Sequence, residues 1–275
     1  MARVHPLRVG ELECALLDDG ELAVPPEVMF PSRRREAWPA LETSADGLVV
    51  VPVVCLLVRS ARGLVLVDAG NGTRPGGRWT GGGRLLDSLA AAGVRPEDVD
   101  TLVLSHAHSD HLGGTTAWRD GRLVPTFPRA RHLLARADWD YFTRQRQPIP
   151  RQVEETLVPL MDWGLLDLVE PDVAIAPGLQ LVLAAGHTPG NAVVQVQSGA
   201  EALFFLGDLV HHVAEIENLG LMSDGDVLPV LVPSSRRRVF EMAIDQGALV
   251  TASHLGFPSL GRLTRTEAGF RLARE

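Results

Sequence analysis

Three histidines and an aspartate fall within six positions of SHAHSDHLGG, residues 105–114, in a chain that has nine histidines among 275 residues. Alternate residues of an extended chain point to one side, so His106 and His108 can face a single cation. A turn after them can swing Asp110 and His111 toward a second point close by. Imidazole and carboxylate donors suit zinc, iron or manganese, and the lack of thiolate sets the cluster apart from structural zinc sites. One such histidine alone would read as a core or surface residue. Three more candidate ligands, however, follow other apolar runs: His187 in LQLVLAAGHTPGN, Asp208 in ALFFLGDLVHH and His254 in VTASHLG. Ser105 and Ser109 flank the cluster, but this chemistry needs no serine nucleophile.

The runs that must position these groups read as an α/β chain. Residues 7–17 and 48–58 are expected as strands, the second being nearly continuous β-branched sequence and so buried on both faces. Arg62-Gly63 signals a hairpin into a strand ending at Asp68. The Gly-rich stretch 70–83 reads as a loop. GRLLDSLAAAGV reads as a helix with Leu85, Leu86, Leu89 and Ala90 on one face and Gly93 as its stop. VDTLVL then gives a short buried strand that runs into the histidines, a strand–helix–strand unit with its chemistry at a strand end. Residues 131–135 form another strand. Asp138 to Pro150 is an irregular stretch rich in aromatic, Arg and Pro residues. RQVEETLVPLMDWG carries Val153, Leu157, Leu160 and Met161 at helical spacing. AVVQVQ alternates like a half-buried strand, and SRRRVFEMAIDQGALVTASHLG reads as a helix followed by a strand. Two similar halves fit one layered domain over residues 1–275.

Composition narrows the classes. Hydrophobic residues make up 45 % and the net charge is −8, so non-specific binding to nucleic acid or to an anionic membrane is not expected. Every one of the 26 basic residues is Arg. Cys14 and Cys55 make no C-x-x-C pair and no disulfide framework. The N-terminus lacks a basic-then-apolar leader, and no apolar run approaches 18 residues. A cytoplasmic location is the expectation.

SHAHSDHLGG resembles the H-x-H-x-D-H signature of the metallo-β-lactamase superfamily. GHTPGN, GDLVHH and SHLGFPSLG are similar to that family's later histidine, aspartate and histidine motifs, and Asp68 in LVDAG to its early aspartate. The resemblance runs from Asp68 to about Gly261 and implies a four-layer αββα sandwich with the site at the edge between its sheets. It implies two divalent metal ions, zinc first, iron or manganese as alternatives. His106, His108 and His187 would bind one, Asp110, His111 and His254 the other, and Asp208 would bridge them. Asp68 would orient a ligand from behind. The implied reaction is hydrolysis by a metal-bridging hydroxide, with Asp110 assisting.

Within the superfamily, LLDDGEL, GDLVHH and the Arg-opened helix before SHLGFPSLG look most like the lactonase and methyl-parathion-hydrolase branch. A lactone or ester substrate follows, with acyl-homoserine lactone, thioester or phosphotriester as variants. One departure matters. Acyl-homoserine lactonases carry a tyrosine three residues after the bridging aspartate; here that spacing holds His211, which could donate to a developing oxyanion or merely support the site. Pocket walls are expected from Phe30, Trp139, Tyr141, Phe142, Met222 and Phe257, with Met29 and Trp38 as further candidates, and suit an apolar acyl or aryl group. The runs Arg33–Arg35 and Arg236–Arg238 read as solvated faces or as a contact in a homodimer. The alternatives are a metal-dependent nuclease, or a biosynthetic enzyme of the same fold that performs a thioesterase, cyclisation or dehydration step.

Overall fold

A computed structural model describes residues 3–30, 43–73, 83–267 and 269–275. Its first half builds one sheet from β1 (Val4–Val9), β2 (Leu12–Val24), β3 (Val49–Ser60), β4 (Gly63–Val67) and β5 (Val99–Val103). A separate hairpin follows, β6 (Thr116–Arg119) with β7 (Arg122–Pro125). Then β8 (Arg131–Ala135) and β9 (Leu166–Val169) complete the sheet, in the order β1-β2-β3-β4-β5-β8-β9. The second half builds another seven-stranded sheet in plain chain order: β10 (Val173–Ala176), β11 (Leu179–Leu183), β12 (Ala192–Ser198), β13 (Glu201–Phe205), β14 (Leu249–Thr251), β15 (Gly261–Thr266) and β16 (Gly269–Arg274). Both sheets are mixed. Hairpin-linked strands pair antiparallel, while β4-β5-β8-β9 and β13-β14 run parallel.

Helices cover the outer faces. They are α1 (Pro26–Met29), α2 (Leu85–Ala91), α3 (Ser109–Leu112), α4 (Arg136–Asp140), α5 (Arg151–Glu154), α6 (Leu157–Asp162), α7 (Ala214–Glu217) and α8 (Val232–Asp245). Three apolar layers result. Leu16, Val54, Leu56 and Val103 of one sheet meet Leu181, Val194, Leu203 and Phe205 of the other. Outside the first sheet, Leu66 and Leu102 pack on Leu85, Leu89, Leu157 and Leu160. Outside the second, Phe204 and Val250 pack on Val239, Phe240 and Ala243 of α8. This is the αββα sandwich that the motifs imply.

Several local expectations are corrected. Residues 7–17 are not one strand: Gly10, at φ +56°, turns the chain between β1 and β2, a conformation open to glycine. Along α2 the buried face is Leu85, Ser88 and Leu89, whereas Leu86 and Ala90 face outward. The helix expected over 151–164 is broken at Glu155-Thr156. Pro159 cannot donate to the Glu155 carbonyl and would clash with it, so α6 starts afresh at Leu157 with Thr156 Oγ1 bonded to the Gln152 carbonyl. The stretch from Asp138 is not irregular throughout, since α4 continues into a π-helical turn at Tyr141–Gln145. AVVQVQ is buried on both faces through Val196, because α8 covers one and the first sheet the other, and only Gln197 is exposed. Arg33–Arg35, Trp38 and most of the Gly-rich stretch lie outside the described residues. Among the described residues no helix is long and apolar enough to cross a membrane.

Candidate metal centre

All seven expected ligand side chains converge at one edge of the sandwich. β5 leads into His106 and His108, and α3 carries Asp110 and His111. The loop after β11 brings His187, the turn after β13 brings Asp208, and the end of β14 brings His254. Two groups form: His106, His108, His187 and Asp208; and Asp110, His111, His254 and Asp208. Within each, the donor atoms lie within 4.8 Å of one another. Asp208 belongs to both. Its Oδ2 faces His187 Nε2 at 3.4 Å and His106 Nε2 at 3.6 Å, and its Oδ1 faces His111 Nε2 at 3.1 Å and His254 Nε2 at 3.2 Å.

The far nitrogens of four of these rings are tied off. His254 Nδ1 donates to the Pro52 carbonyl at 2.7 Å, and His187 Nδ1 to Asp226 at 2.9 Å. His111 Nδ1 donates to Asp68 at 2.8 Å. Ser105 Oγ gives its one proton to Asp68, so it accepts from His106 Nδ1 at 3.1 Å. In each neutral ring the proton then sits on Nδ1, and Nε2 turns a bare lone pair inward. His106 Nε2 and His187 Nε2 lie 3.0 Å and 2.8 Å from His108 Nδ1, three ring nitrogens close enough to serve one cation. Among the described residues, His111 Nε2 and Asp208 Oδ1 are buried and make no well-aligned hydrogen bond despite lying 3.1 Å apart. The donor set therefore fits two divalent cations.

Burial and neighbouring charge set the protonation. Desolvation lowers His106 well below the usual imidazole range and takes His108 down to about 3. Against the same desolvation, Asp208, Asp68 and Asp110 raise His111 well above it, and Asp208 and Asp110 raise His254 to about 9. Burial works to raise Asp110 and Asp208, but the surrounding histidines hold both below the usual carboxylate range.

Asp68 adopts φ +64°, which Asp tolerates better than most residues. There it accepts from the Ser105 N–H, the Ser105 hydroxyl and His111. His211 is buried, with Nε2 3.3 Å from Asp208 Oδ2 and its ring nearly parallel to His254 at 5.7 Å. Phe30 is buried with its ring edge-on to His212 at 5.8 Å. Phe142 is wholly buried against His108, ring centres 5.6 Å apart, so it is a floor rather than an open wall. Tyr141 packs on Phe142, and it and Trp139 lie half-buried on the outer layer of the first sheet. Met222 is half-buried, and Met29 is buried with Phe30. Phe257 caps the inter-sheet layer, under the Arg3 guanidinium. A crevice of about 510 Å³ on the outer face of β1–β3 shares no lining residue with the metal groups.

Other supports went unread in the sequence. Asp226 is a lone acid in a loop, with no spacing signal. Asp138 accepts from Ala107 N–H, Thr188 Oγ1 and Gly190 N–H, which ties the loops of His106 and His187 together. Arg236, expected on a solvated face, is wholly buried and paired with buried Glu215, because position 236 of α8 falls on the same face as Val232, Val239 and Phe240.

The family model described as the metallo-beta-lactamase superfamily matches residues 48–252. An N-acyl homoserine lactonase from a Bacillus species is 28 % identical over 167 residues, 55 % of this chain and 60 % of that protein. The N-acyl homoserine lactonase AiiB of Agrobacterium fabrum is 27 % identical over 212 residues, 70 % of this chain and 74 % of its own. The chain spans 60–64 % of the length of the Bacillus relatives. Among solved structures, AidC, a dizinc quorum-quenching lactonase in complex with a product, is 25 % identical with a TM-score of 0.82, covering 100 % of this chain and 98 % of that one. The hydrolase AbOPH of the β-lactamase superfamily, 22 % identical, shares the fold with a TM-score of 0.83 over 100 % of this chain and 98 % of its own.

Proposed function

The chain belongs to the metallo-β-lactamase superfamily, and from that premise we propose that it is a dinuclear metal-dependent hydrolase that opens a lactone ring or cleaves an ester. The observation that carries this reading is the pair of four-residue donor groups sharing Asp208. The lactonase names of its relatives favour a lactone, an acyl-homoserine lactone first.

His106, His108 and His187 would hold one ion with Asp208 Oδ2. Asp110, His111 and His254 would hold the other with Asp208 Oδ1. Two zinc ions there would supply Lewis acidity for the carbonyl and lower the pKa of a water toward ~7. The remaining chemistry falls to the chain. Asp110, at the outer side of the second group, takes the proton released as water attacks and passes it to the leaving alkoxide. Against the desolvation of burial, Asp208 and Glu215 raise His211 well above the usual imidazole range, so the charged ring donates from Nε2 toward the carbonyl oxygen as it gains charge. Asp68, Asp226 and the Pro52 carbonyl keep the histidine rings turned inward. Half-buried Met222 offers apolar surface for an acyl or aryl group, with buried Phe30 packed behind.

The test is initial hydrolysis rate of zinc-loaded protein across acyl-homoserine lactones, simple lactones, aryl esters, a thioester and a phosphotriester. Saturable lactone turnover is expected, falling by roughly 10³-fold or more in Asp110→Asn with the fold intact. Full activity in that variant would overturn the mechanism. Silence across the panel with both metals bound would redirect the assay to single-stranded RNA and to biosynthetic substrates.

A further inference from the structure

An imidazole at position 211 is useful only if the correct nitrogen faces the substrate. Behind His211 lies an ion pair out of contact with solvent. Glu215 on α7 accepts the main-chain N–H groups of His211, at 2.5 Å, and His212, at 3.0 Å, on Oε2. The same oxygen lies 3.6 Å from His211 Nδ1. Its other oxygen accepts from Arg236 Nη2 at 2.8 Å. Arg236 in turn donates from Nε to the Leu209 carbonyl at 2.8 Å, and from Nη1 to the carbonyls of Leu219 and Leu221. One guanidinium thus gathers three loop carbonyls and one carboxylate beneath the site.

A buried ion pair is a poor source of stability, since an apolar pair of the same size often does as well. This pair has a directional use. On the far side of the ring, Nε2 lies 3.3 Å from Asp208. The ring lies within 9° of parallel to His254. His211 Nδ1 makes no hydrogen bond among the described residues and faces the Glu215 carboxylate alone. We therefore infer that Arg236 and Glu215 are a positioning pair: Arg236 holds Glu215, Glu215 holds His211 by its main-chain N–H and by the carboxylate charge beside Nδ1, and Nε2 is thereby presented to the substrate. Glu215 is wholly buried, so it acts only through His211. The inference rests on the hydrolase reading for its kinetic consequence, not for its geometry.

The test has two arms on full-length, zinc-loaded protein. The first is a double-mutant cycle of Glu215→Gln and His211→Gln on N-hexanoyl-homoserine lactone. Each single variant is expected to lower kcat by roughly tenfold or more, with KM within about twofold and metal content unchanged. The double variant should fall no further than His211→Gln alone. Multiplicative losses would overturn the inference. The second arm needs no Glu215 variant and so survives a failure of that variant to fold. Long-range ¹H–¹⁵N NMR of the wild-type protein should find a proton on Nδ1 of the His211 ring in addition to the one Nε2 offers the substrate, the signals being identified by their loss in His211→Gln. A bare Nδ1 overturns the inference whatever the kinetics. Because this arm does not depend on turnover, an inactive enzyme would count against the lactonase reading while the positioning is still decided.

Discussion

A ligating imidazole depends on the acceptor behind it. His187 has Asp226 at Nδ1, a loop carboxylate that also accepts from the Ser223 N–H. Asp226→Ala should therefore weaken zinc binding by about 10–100-fold without unfolding the chain. Competition with a chromophoric chelator measures this, and unchanged affinity would remove Asp226 from the site. The candidate ligands and their convergence were legible because four of them stand within six residues and the rest end apolar runs. Their partners were not: Asp226 is one of 34 acidic residues, and Pro52 contributes only a main-chain oxygen. His132 gives a second prediction at this scale. It is buried in β8, and neither ring nitrogen has a hydrogen-bond partner among the described residues. Desolvation takes it down to about 4. The unfolded chain then binds more protons below about pH 6.5, so stability falls as pH drops from about 6.5 to about 4, by on the order of 3 kcal/mol, and then levels off. His132→Leu should remove that limb of the denaturant-midpoint profile against pH. An unaltered acid limb would refute the assignment.

The histidine helix is held by close backbone contact rather than by a large apolar face. α3 has only four residues, and its His111 carbonyl accepts from the Ala69 N–H at the end of β4. Gly113 and Gly114 follow at once. A Cβ on Gly114 would sit 2.1 Å from the Ala69 carbonyl oxygen, and one on Gly113 2.1 Å from that of Asn71. Neither backbone oxygen can move without moving the strand end that carries Asp68. Gly114→Ala should therefore cost about 1–3 kcal/mol by overpacking and displace Asp110 and His111 together. Zinc stoichiometry after desalting should fall, with the site of Asp110, His111 and His254 emptied first. A variant that keeps both its melting temperature and its zinc would show that the contact relaxes freely. The sequence shows the Gly-Gly pair but not the strand against which it packs. The same limit explains the elements misread above. The signals at Gly10 and Pro159 were in the chain, yet apolar spacing on both sides of each continued the pattern and masked the break. Arg236 sits within a run of three arginines, and that run masks the helical spacing that puts it on the buried face of Val232, Val239 and Phe240.

At the scale of the whole molecule, the candidate metal centre draws its side chains from the ends of two sheets. His106, His108, Asp110 and His111 come from the first half, and His187, Asp208 and His254 from the second. The strand–helix–strand unit of β4, α2 and β5 could be read from spacing, and its two strands do pair in parallel. The order of the sheets could not, because which strands pair depends on layers that no local period records. Direct ties between the halves at this edge include, among the described residues, Ala192 N–H to the Ser105 carbonyl, Val54 N–H to that of Ser253, His254 Nδ1 to that of Pro52, and the Asp138 bridge. In the metal-free chain, buried carboxylates face buried imidazoles, and His254 is raised to about 9 as it takes the role of the cation against Asp208 and Asp110. A bound ion replaces that arrangement with bonds to both halves at once. Zinc should therefore stabilise the fold as a unit. At a free concentration about 100 times Kd, one site contributes about 2.7 kcal/mol, or roughly 5–10 °C in melting temperature for a domain of this size. Chelation should reverse the shift. Asp208→Ala removes the one residue common to both groups and should abolish most of it. A zinc-induced shift of the same size in that variant would mean that the ions bind within one half alone, and the two-sheet centre would have to be abandoned.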